Sequence, residues 1–285
     1  MDFQAHRIKT DDATLVAEIM GASADPPVLL IAGTSCTRDW WPPEFCRQLA
    51  ASHCRVIRYD QRDTGESSLW PVGEPGYTLE DLMGDAVAIL DFFGYERSHV
   101  VGFSQGGWVA QLLALEHPHR VSSMTLISSR STDHGPADPD LPEVSDGLLA
   151  AWGTISEPDW DDEAAVIDYY VENERILAGD EFDADAARQI CARAVARSVD
   201  ARTAGNHPYM QKIPRWRERL SEIQVPTTVF HGALDPLFPL ENGSALAREM
   251  PGASFTVLDG IGHEFPKRAW PQVVDDIRRR VRSQT

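Results

Sequence analysis

The chain has 285 residues, long enough to bury a sizeable core as one large domain or as one domain carrying an insertion. Its 44 Asp and Glu against 26 Lys and Arg leave a formal net charge of -18, which repels phosphate backbones, and the one compact basic run, 278–280, lies in an expected terminal helix. No apolar run reaches membrane-span length and the first residues carry no apolar signal core, so a cytoplasmic protein acting on an uncharged or cationic small molecule is the expectation, with its oligomeric state left open.

Residues 6–10 and 15–19 read as two strands joined by the polar turn Asp11-Asp12-Ala13, an opening hairpin without chemistry of its own. Residues 28–31 form a short continuous apolar run, as in a strand buried on both faces, and empty into Ala32-Gly33-Thr34-Ser35-Cys36-Thr37. Such a small-residue strand exit can aim a backbone N–H at a developing oxyanion. The donor named is the amide of Thr34, with Gly33 beside it as a substrate contact. Trp40 and Trp41 follow, one expected at the site (Trp40) and at least one packing an amphipathic helix through Phe45 and Leu49 onto the sheet. Residues 55–59 are a further strand, opening into the charged turn 60–67, whose carboxylates and Arg62 are expected to satisfy one another rather than a ligand. Thr78 with Asp81 resembles a capping box, and Leu79, Leu82, Met83, Ala86, Leu90 and Phe93 fall at helical spacing up to Gly94. The four cysteines, Cys36, Cys46, Cys54 and Cys191, show neither a CxxC pair nor a metal-ligand cluster and read as free thiols, with no metal or other cofactor called for.

Residues 99–107 read His-Val-Val-Gly-Phe-Ser-Gln-Gly-Gly, a buried strand end followed by the helical spacing of Trp108, Val109, Leu112, Leu113 and Leu115. Ser104 thus stands where strand turns abruptly into helix, flanked by Gly102 and Gly106 as Gly-x-Ser-x-Gly. A turn this tight leaves no room for a Cβ two residues either side, and it pushes the hydroxyl clear of the sheet. The amide of Gln105 is the second expected oxyanion donor. After a strand at 124–127 the alternation of strand and helix stops. Residues 130–224 read as an all-helical insertion, acidic at Asp159, Asp161, Asp162 and Glu163, either as a solvated helix face or as a lid that attracts a cation. Its aromatic residues, Trp152 and Tyr169 foremost and Trp160, Tyr170 and Tyr209 with them, are candidate pocket walls. The expected division is therefore a core in two parts, 1–129 and 225–285, around the helical segment 130–224.

Strands return at 227–230 and 255–258. A nucleophile on a doubly wound sheet, in the chain order Ser, acid, His, needs its partners at the carboxyl ends of later strands, because those ends face the same edge. Asp235 follows one such strand. His263 follows the last and is the only histidine after Asp235, with Asp259 the rival acid and His231 a hydrogen-bonded core residue. The fold these alternations imply is α/β, a mostly parallel sheet with helices on both faces and an inserted helical cap.

The strand exit Ala32-Gly33-Thr34, the turn 60–67, the elbow Gly102-Phe103-Ser104-Gln105-Gly106, Asp235 and His263 together resemble the α/β-hydrolase family over nearly the whole chain. Within it, Arg58-Tyr59-Asp60 running into Arg62-Asp63-Thr64-Gly65 is similar to the group that contains aclacinomycin methylesterase and the serine-dependent macrolide esterases. The loop begins Ala32-Gly33 where many relatives have His-Gly. The resemblance implies a cofactor-free serine esterase acting on a glycosylated polyketide. Acyl transfer to Ser104, with His263 as base then acid and Asp235 orienting it, is the expected chemistry. A serine at the elbow argues against the dehalogenase and epoxide-hydrolase relatives, which use a carboxylate there. The expected substrate is the lactone of a macrolide antibiotic, whose basic amino sugar would suit an acidic cap and whose opening would confer resistance. The alternatives are a polyketide methyl ester, a general carboxylic ester, or a receptor that binds without turnover.

Overall fold

A computed structural model describes residues 2–282. Eight strands form one sheet in the order β1-β2-β4-β3-β5-β6-β7-β8. The hairpin β1 (Gln4–Lys9) and β2 (Thr14–Met20) is antiparallel, and β2 pairs antiparallel with β4 (Arg55–Asp60). From β4 onward the sheet is parallel through β3 (Pro27–Ile31), β5 (Ser98–Phe103), β6 (Val121–Ile127), β7 (Thr227–Gly232) and β8 (Ser254–Leu258).

The central strands are apolar on both sides because both sides are covered. In β3, Leu29 and Ile31 point into a core with α2 (Leu79–Phe92) and α3 (Gln105–Glu116). Val28 and Leu30 point the opposite way, against α1 (Pro43–Ala51) and α8 (Trp270–Arg282). Trp41 stacks on Phe45 at 5.7 Å in this second core, which identifies it as the packing tryptophan of the pair. Each large apolar side chain so buried contributes about 1.5–3 kcal/mol. Thr78 and Asp81 make the capping box at the start of α2, with Thr78 N–H donating to Asp81 Oδ2 at 2.7 Å and Asp81 N–H to Thr78 Oγ1 at 3.2 Å. The helix α7 (Leu240–Glu249) joins β7 to β8.

Between β6 and β7 lie α4 (Asp146–Trp152), α5 (Glu163–Leu177), α6 (Ala184–Arg197) and 3₁₀ segments at Ala201–Tyr209 and Arg217–Glu222. This segment has little core of its own: Ile167, Val171 and Cys191, with Tyr170, Phe182, Ala192 and Val195 packed around them. Its end, Met210, Trp216, Leu220 and Ile223, is buried in the core layer of α2 and α3, and polar bonds tie down the rest. Arg197 donates to Asp39 at 2.8 Å and to Glu18 at 3.2 Å, and Leu177 O accepts the His263 amide at 2.7 Å.

The charged turn after β4 is the main anchor. Arg62 binds Asp85 at 2.8 Å and Asp12 at 2.7 Å, and Arg38 pairs with Asp60. Buried Asp63 accepts from Tyr77 Oη at 2.7 Å and from Asn206 Nδ2 at 2.9 Å, while its carbonyl accepts from Thr203 Oγ1 at 2.9 Å. The charges of the turn are therefore satisfied within the protein, but not by one another as expected: Arg62 pairs with Asp85 and Asp12, and Asp60 and Glu66 pair with Arg38, all outside 60–67, and the turn also holds the end of the inserted segment.

Candidate active site

Ser104 is the last residue before α3 and has φ 51°, the left-handed region that a serine enters only when its surroundings compel it. The compulsion comes from the glycines. A Cβ at Gly102 would overlap the Gly106 carbonyl, and one at Gly106 would overlap the carbonyls of Ile31 and Ala32. Strand, turn and helix thus close to backbone contact, and the Ser104 hydroxyl is left at the carboxyl edge of the sheet.

The exits of β7 and β8 bring two further groups to that edge. His263 Nε2 lies 3.0 Å from Ser104 Oγ, and His263 Nδ1 lies 2.8 Å from Asp235 Oδ2. The other oxygen of Asp235 accepts the amides of Leu237 at 2.9 Å and Phe238 at 2.8 Å, which holds the carboxylate in place. Because that carboxylate can only accept, Nδ1 carries the proton and Nε2 is bare toward the serine. The rings of Phe103 and Phe238 pack on His263 at 5.2 and 5.1 Å. All three polar groups are buried. Asp259, by contrast, is exposed on its strand exit. His231 is fully buried with Nε2 on the Phe238 carbonyl at 2.6 Å, a core histidine as expected.

The exit of β3 lies against the elbow: a Cβ at Gly33 would stand 3.3 Å from Ser104 Cβ. Among the described residues neither the Thr34 nor the Gln105 amide makes a hydrogen bond. Gln105 is the first residue of α3, where helix N–H groups lack intrahelical partners and the macrodipole favours negative charge.

A model of the α/β-hydrolase fold family matches residues 26–266. The chain belongs to the α/β-hydrolase fold family. This α/β hydrolase is 33% identical over 275 residues to the rhodomycin D methylesterase DnrP of Streptomyces peucetius, covering 91% of this chain and 92% of that protein. The rhodomycin D methylesterase DauP of Streptomyces sp. (strain C5) is similar to the same extent, at 33% over 275 residues. Among solved structures, the esterase RhEst1 from Rhodococcus sp. ECU1013 superposes with a TM-score of 0.79 at 20% identity, covering 100% of both chains, a likeness of fold. The α/β hydrolase described here is a carboxylic-ester hydrolase. Among its described residues no helix is long and apolar enough to cross a membrane.

The expected pocket walls separate. Trp40 packs on Phe103 at 4.8 Å with the rings tilted by 36°, one ring removed from His263. Tyr169 packs between Trp160 at 5.8 Å and Tyr170 at 5.5 Å, Trp152 ends α4, and Tyr209 is 68% exposed. Among the described residues no ring contact joins Trp152 or Tyr169 to the rings around His263, and Tyr169 is turned onto Trp160 and Tyr170 instead. The acidic residues are likewise local. Asp162 accepts from the first amides of α5 and Asp183 does the same for α6, while Asp159, Asp161 and Glu163 are exposed.

Two features escaped sequence reasoning. Trp40, Glu174, Phe182, Cys191, Phe265 and Trp270 line a cavity of about 100 Å³ between α5, α6 and the core. Burial there, helped by the charge of Glu264, pushes the Glu174 carboxyl up to about 8. The second feature is a pair of histidines from the inserted segment, His134 and His207, whose side chains meet Gln105. Their only signal was residue type, since partners 29 and 102 positions away leave no pattern in the sequence.

Proposed function

We propose that this carboxylic-ester hydrolase removes the methyl group from a methyl ester borne on a large polycyclic polyketide. The observation that carries the chemistry is the continuous line Ser104 Oγ, His263 Nε2, His263 Nδ1, Asp235 Oδ2, with two unused amides beside it. In this reading Ser104 Oγ attacks the ester carbonyl carbon as His263 Nε2 accepts its proton. The carbonyl oxygen becomes an oxyanion and takes hydrogen bonds from the Thr34 and Gln105 amides. Collapse breaks the bond to the methoxy oxygen, and His263 returns the proton so that methanol leaves. Water, deprotonated by His263, then attacks the acyl carbon, releasing the acid and restoring the Ser104 hydroxyl. Asp235 keeps the imidazole in the required tautomer and stabilises the imidazolium.

The substrate class is supported by similarity to two rhodomycin D methylesterases along nine-tenths of the chain. The case for a macrolide lactone is weaker than the composition suggests. It relied on acidic residues of the inserted segment meeting an amino sugar, and in the structure Asp162 and Asp183 serve as helix caps while Asp159, Asp161 and Glu163 face solvent. Cytoplasmic action is part of the proposal, in keeping with the unpaired, buried Cys46 and Cys54.

Mass spectrometry after incubation with a polycyclic polyketide methyl ester, a macrolide and 4-nitrophenyl acetate tests the reading. Conversion of the methyl ester to its acid, lost in Ser104→Ala, is the expected result. Addition of one water to the macrolide, with the methyl ester untouched, would replace the proposed substrate by a lactone.

A further inference from the structure

His207 sits in the 3₁₀ segment Ala201–Tyr209 with no exposed surface. Its Nε2 meets the Arg62 carbonyl at 2.8 Å, and its Nδ1 meets the Ser35 amide at 3.0 Å and Gln105 Nε2 at 3.2 Å. A carbonyl can only accept and a backbone amide can only donate, so Nε2 carries the proton and Nδ1 is a bare acceptor. Protonation would turn Nδ1 into a donor facing two donors. Burial opposes it and lowers the pKa of His207, although the Asp63 carboxylate lies near. That carboxylate is already taken by Tyr77, Asn206 and the Trp70 amide. The Tyr77 ring stands edge-on to the imidazole at 6.4 Å. His134, across Gln105, is held neutral by its own burial, which lowers it to about 3.

The two groups that His207 joins belong to the two elements carrying the proposed oxyanion amides. Gly33 to Cys36 is a turn closed by Cys36 N–H on the Gly33 carbonyl at 3.2 Å, and its third residue, Ser35, has φ 61° where glycine is the usual choice. Both hydrogen bonds that hold Ser35 in this conformation go to the inserted segment: its amide to His207 and its hydroxyl to the Ala204 carbonyl at 2.6 Å. On the other side, the Gln105 side chain accepts from Thr34 Oγ1 at 3.2 Å and from His134 Nε2 at 2.9 Å, and donates to His207. The sheet alone brings Ser104 to its edge, and this bridge ties the Thr34 turn to Gln105 beside it.

We propose that His207 is a positioning residue whose Nδ1 fixes the Thr34 turn relative to Gln105, so that the inserted segment completes the oxyanion hole. This inference rests on the functional reading above. Misplacing a donor by a fraction of an ångström weakens the transition state far more than the bound ester, because the charge appears only on attack. The loss should therefore fall on kcat rather than KM.

The test compares His207→Leu, His207→Asn and His207→Gln with the parent and with Ser104→Ala, using 4-nitrophenyl acetate turnover and inactivation by diethyl 4-nitrophenyl phosphate. Inactivation builds a covalent Ser104 adduct whose phosphoryl oxygen needs the same amides. His207→Leu should lower kcat about 10- to 100-fold with KM within about twofold, and should slow inactivation by a similar factor. Asparagine offers an acceptor near the position of Nδ1 and glutamine near that of Nε2, so His207→Asn should recover most of the rate and His207→Gln little. This contrast decides the matter even where the leucine variant does not fold. Equal rates for the Asn and Gln variants, or a loss that tracks only the folded fraction, would overturn the inference while leaving the functional reading intact. Activity retained by Ser104→Ala would instead overturn that reading.

Discussion

The sheet core and the inserted helical segment are held by different forces. The core buries two continuous apolar layers, one against α2 and α3 and one against α1 and α8, and its central strands are closed to water on both faces. The inserted segment has a small nucleus of its own in Ile167, Val171 and Cys191; its end, from Met210 to Ile223, joins the layer against α2 and α3, while its helices and the 201–209 stretch depend on directional bonds to the charged turn, to Asp39 and to the His263 loop. Apolar burial tolerates small displacements, whereas hydrogen bonds and ion pairs specify positions. A segment attached through such bonds can set the geometry of a site while contributing little to the stability of the whole.

The largest expected effect lies at the edge where the two regions meet. Ser104→Ala and His263→Ala should each lower kcat by about 10⁴-fold or more, measured with 4-nitrophenyl acetate, while the melting temperature changes little. A His263→Ala variant with near-normal turnover would remove the proposed base.

Stability separates the two regions next. Leu30→Ala opens a cavity in the layer against α1 and α8 and should cost about 2–5 kcal/mol, seen as a lower denaturant midpoint for the entire protein. Asn206→Ala withdraws one donor from buried Asp63 and should cost about 1–3 kcal/mol. Its hydrogen exchange should rise first in 201–209 and not in β3 or β5. Equal exchange increases throughout would mean that segment and core unfold as one unit.

Glu174 offers a pH handle on the boundary. In the unfolded chain its carboxyl releases its proton near 4.5, but in the fold burial raises this to about 8. The folded state therefore holds the extra proton, and its stability falls as pH climbs from 4.5 to about 8, with no further loss above. Glu174→Gln should match the parent at pH 4 and melt higher at pH 8.5, by on the order of a few kcal/mol. An identical pH dependence in both proteins would show that the carboxyl is already ionised in its cavity.

The smallest effect is expected at the surface. Converting Asp159, Asp161 and Glu163 to their amides should change KM less than about twofold for neutral and cationic esters alike, since exposed charges act weakly and are screened by salt. A KM rise confined to a cationic ester, and mimicked by salt, would restore the steering role that the composition suggested.

The strand and helix order, the elbow and the chain order Ser104, Asp235, His263 were legible in the sequence because each depends on local pattern. Apolar runs mark buried strands, helical spacing marks covered helices, and a strained strand-to-helix turn requires Gly102 and Gly106 where they stand. His263 could be chosen by elimination, since parallel strands deliver their exits to one edge, and Asp235 could be preferred to Asp259 by its place at an earlier strand exit. What joins the inserted segment to the site was decided only in three dimensions. The acidic residues there could be read as a lid or a surface until Asp162 and Asp183 were seen to cap helices. Tyr169 was a candidate pocket wall by residue type alone, and its packing on Trp160 and Tyr170 is seen only in the structure. His207 and Glu174 carried no signal beyond residue type. A hydrogen bond across a hundred residues, or a carboxyl enclosed by Trp40, Phe182 and Trp270, is a property of packing between elements, and no periodicity within one element records it.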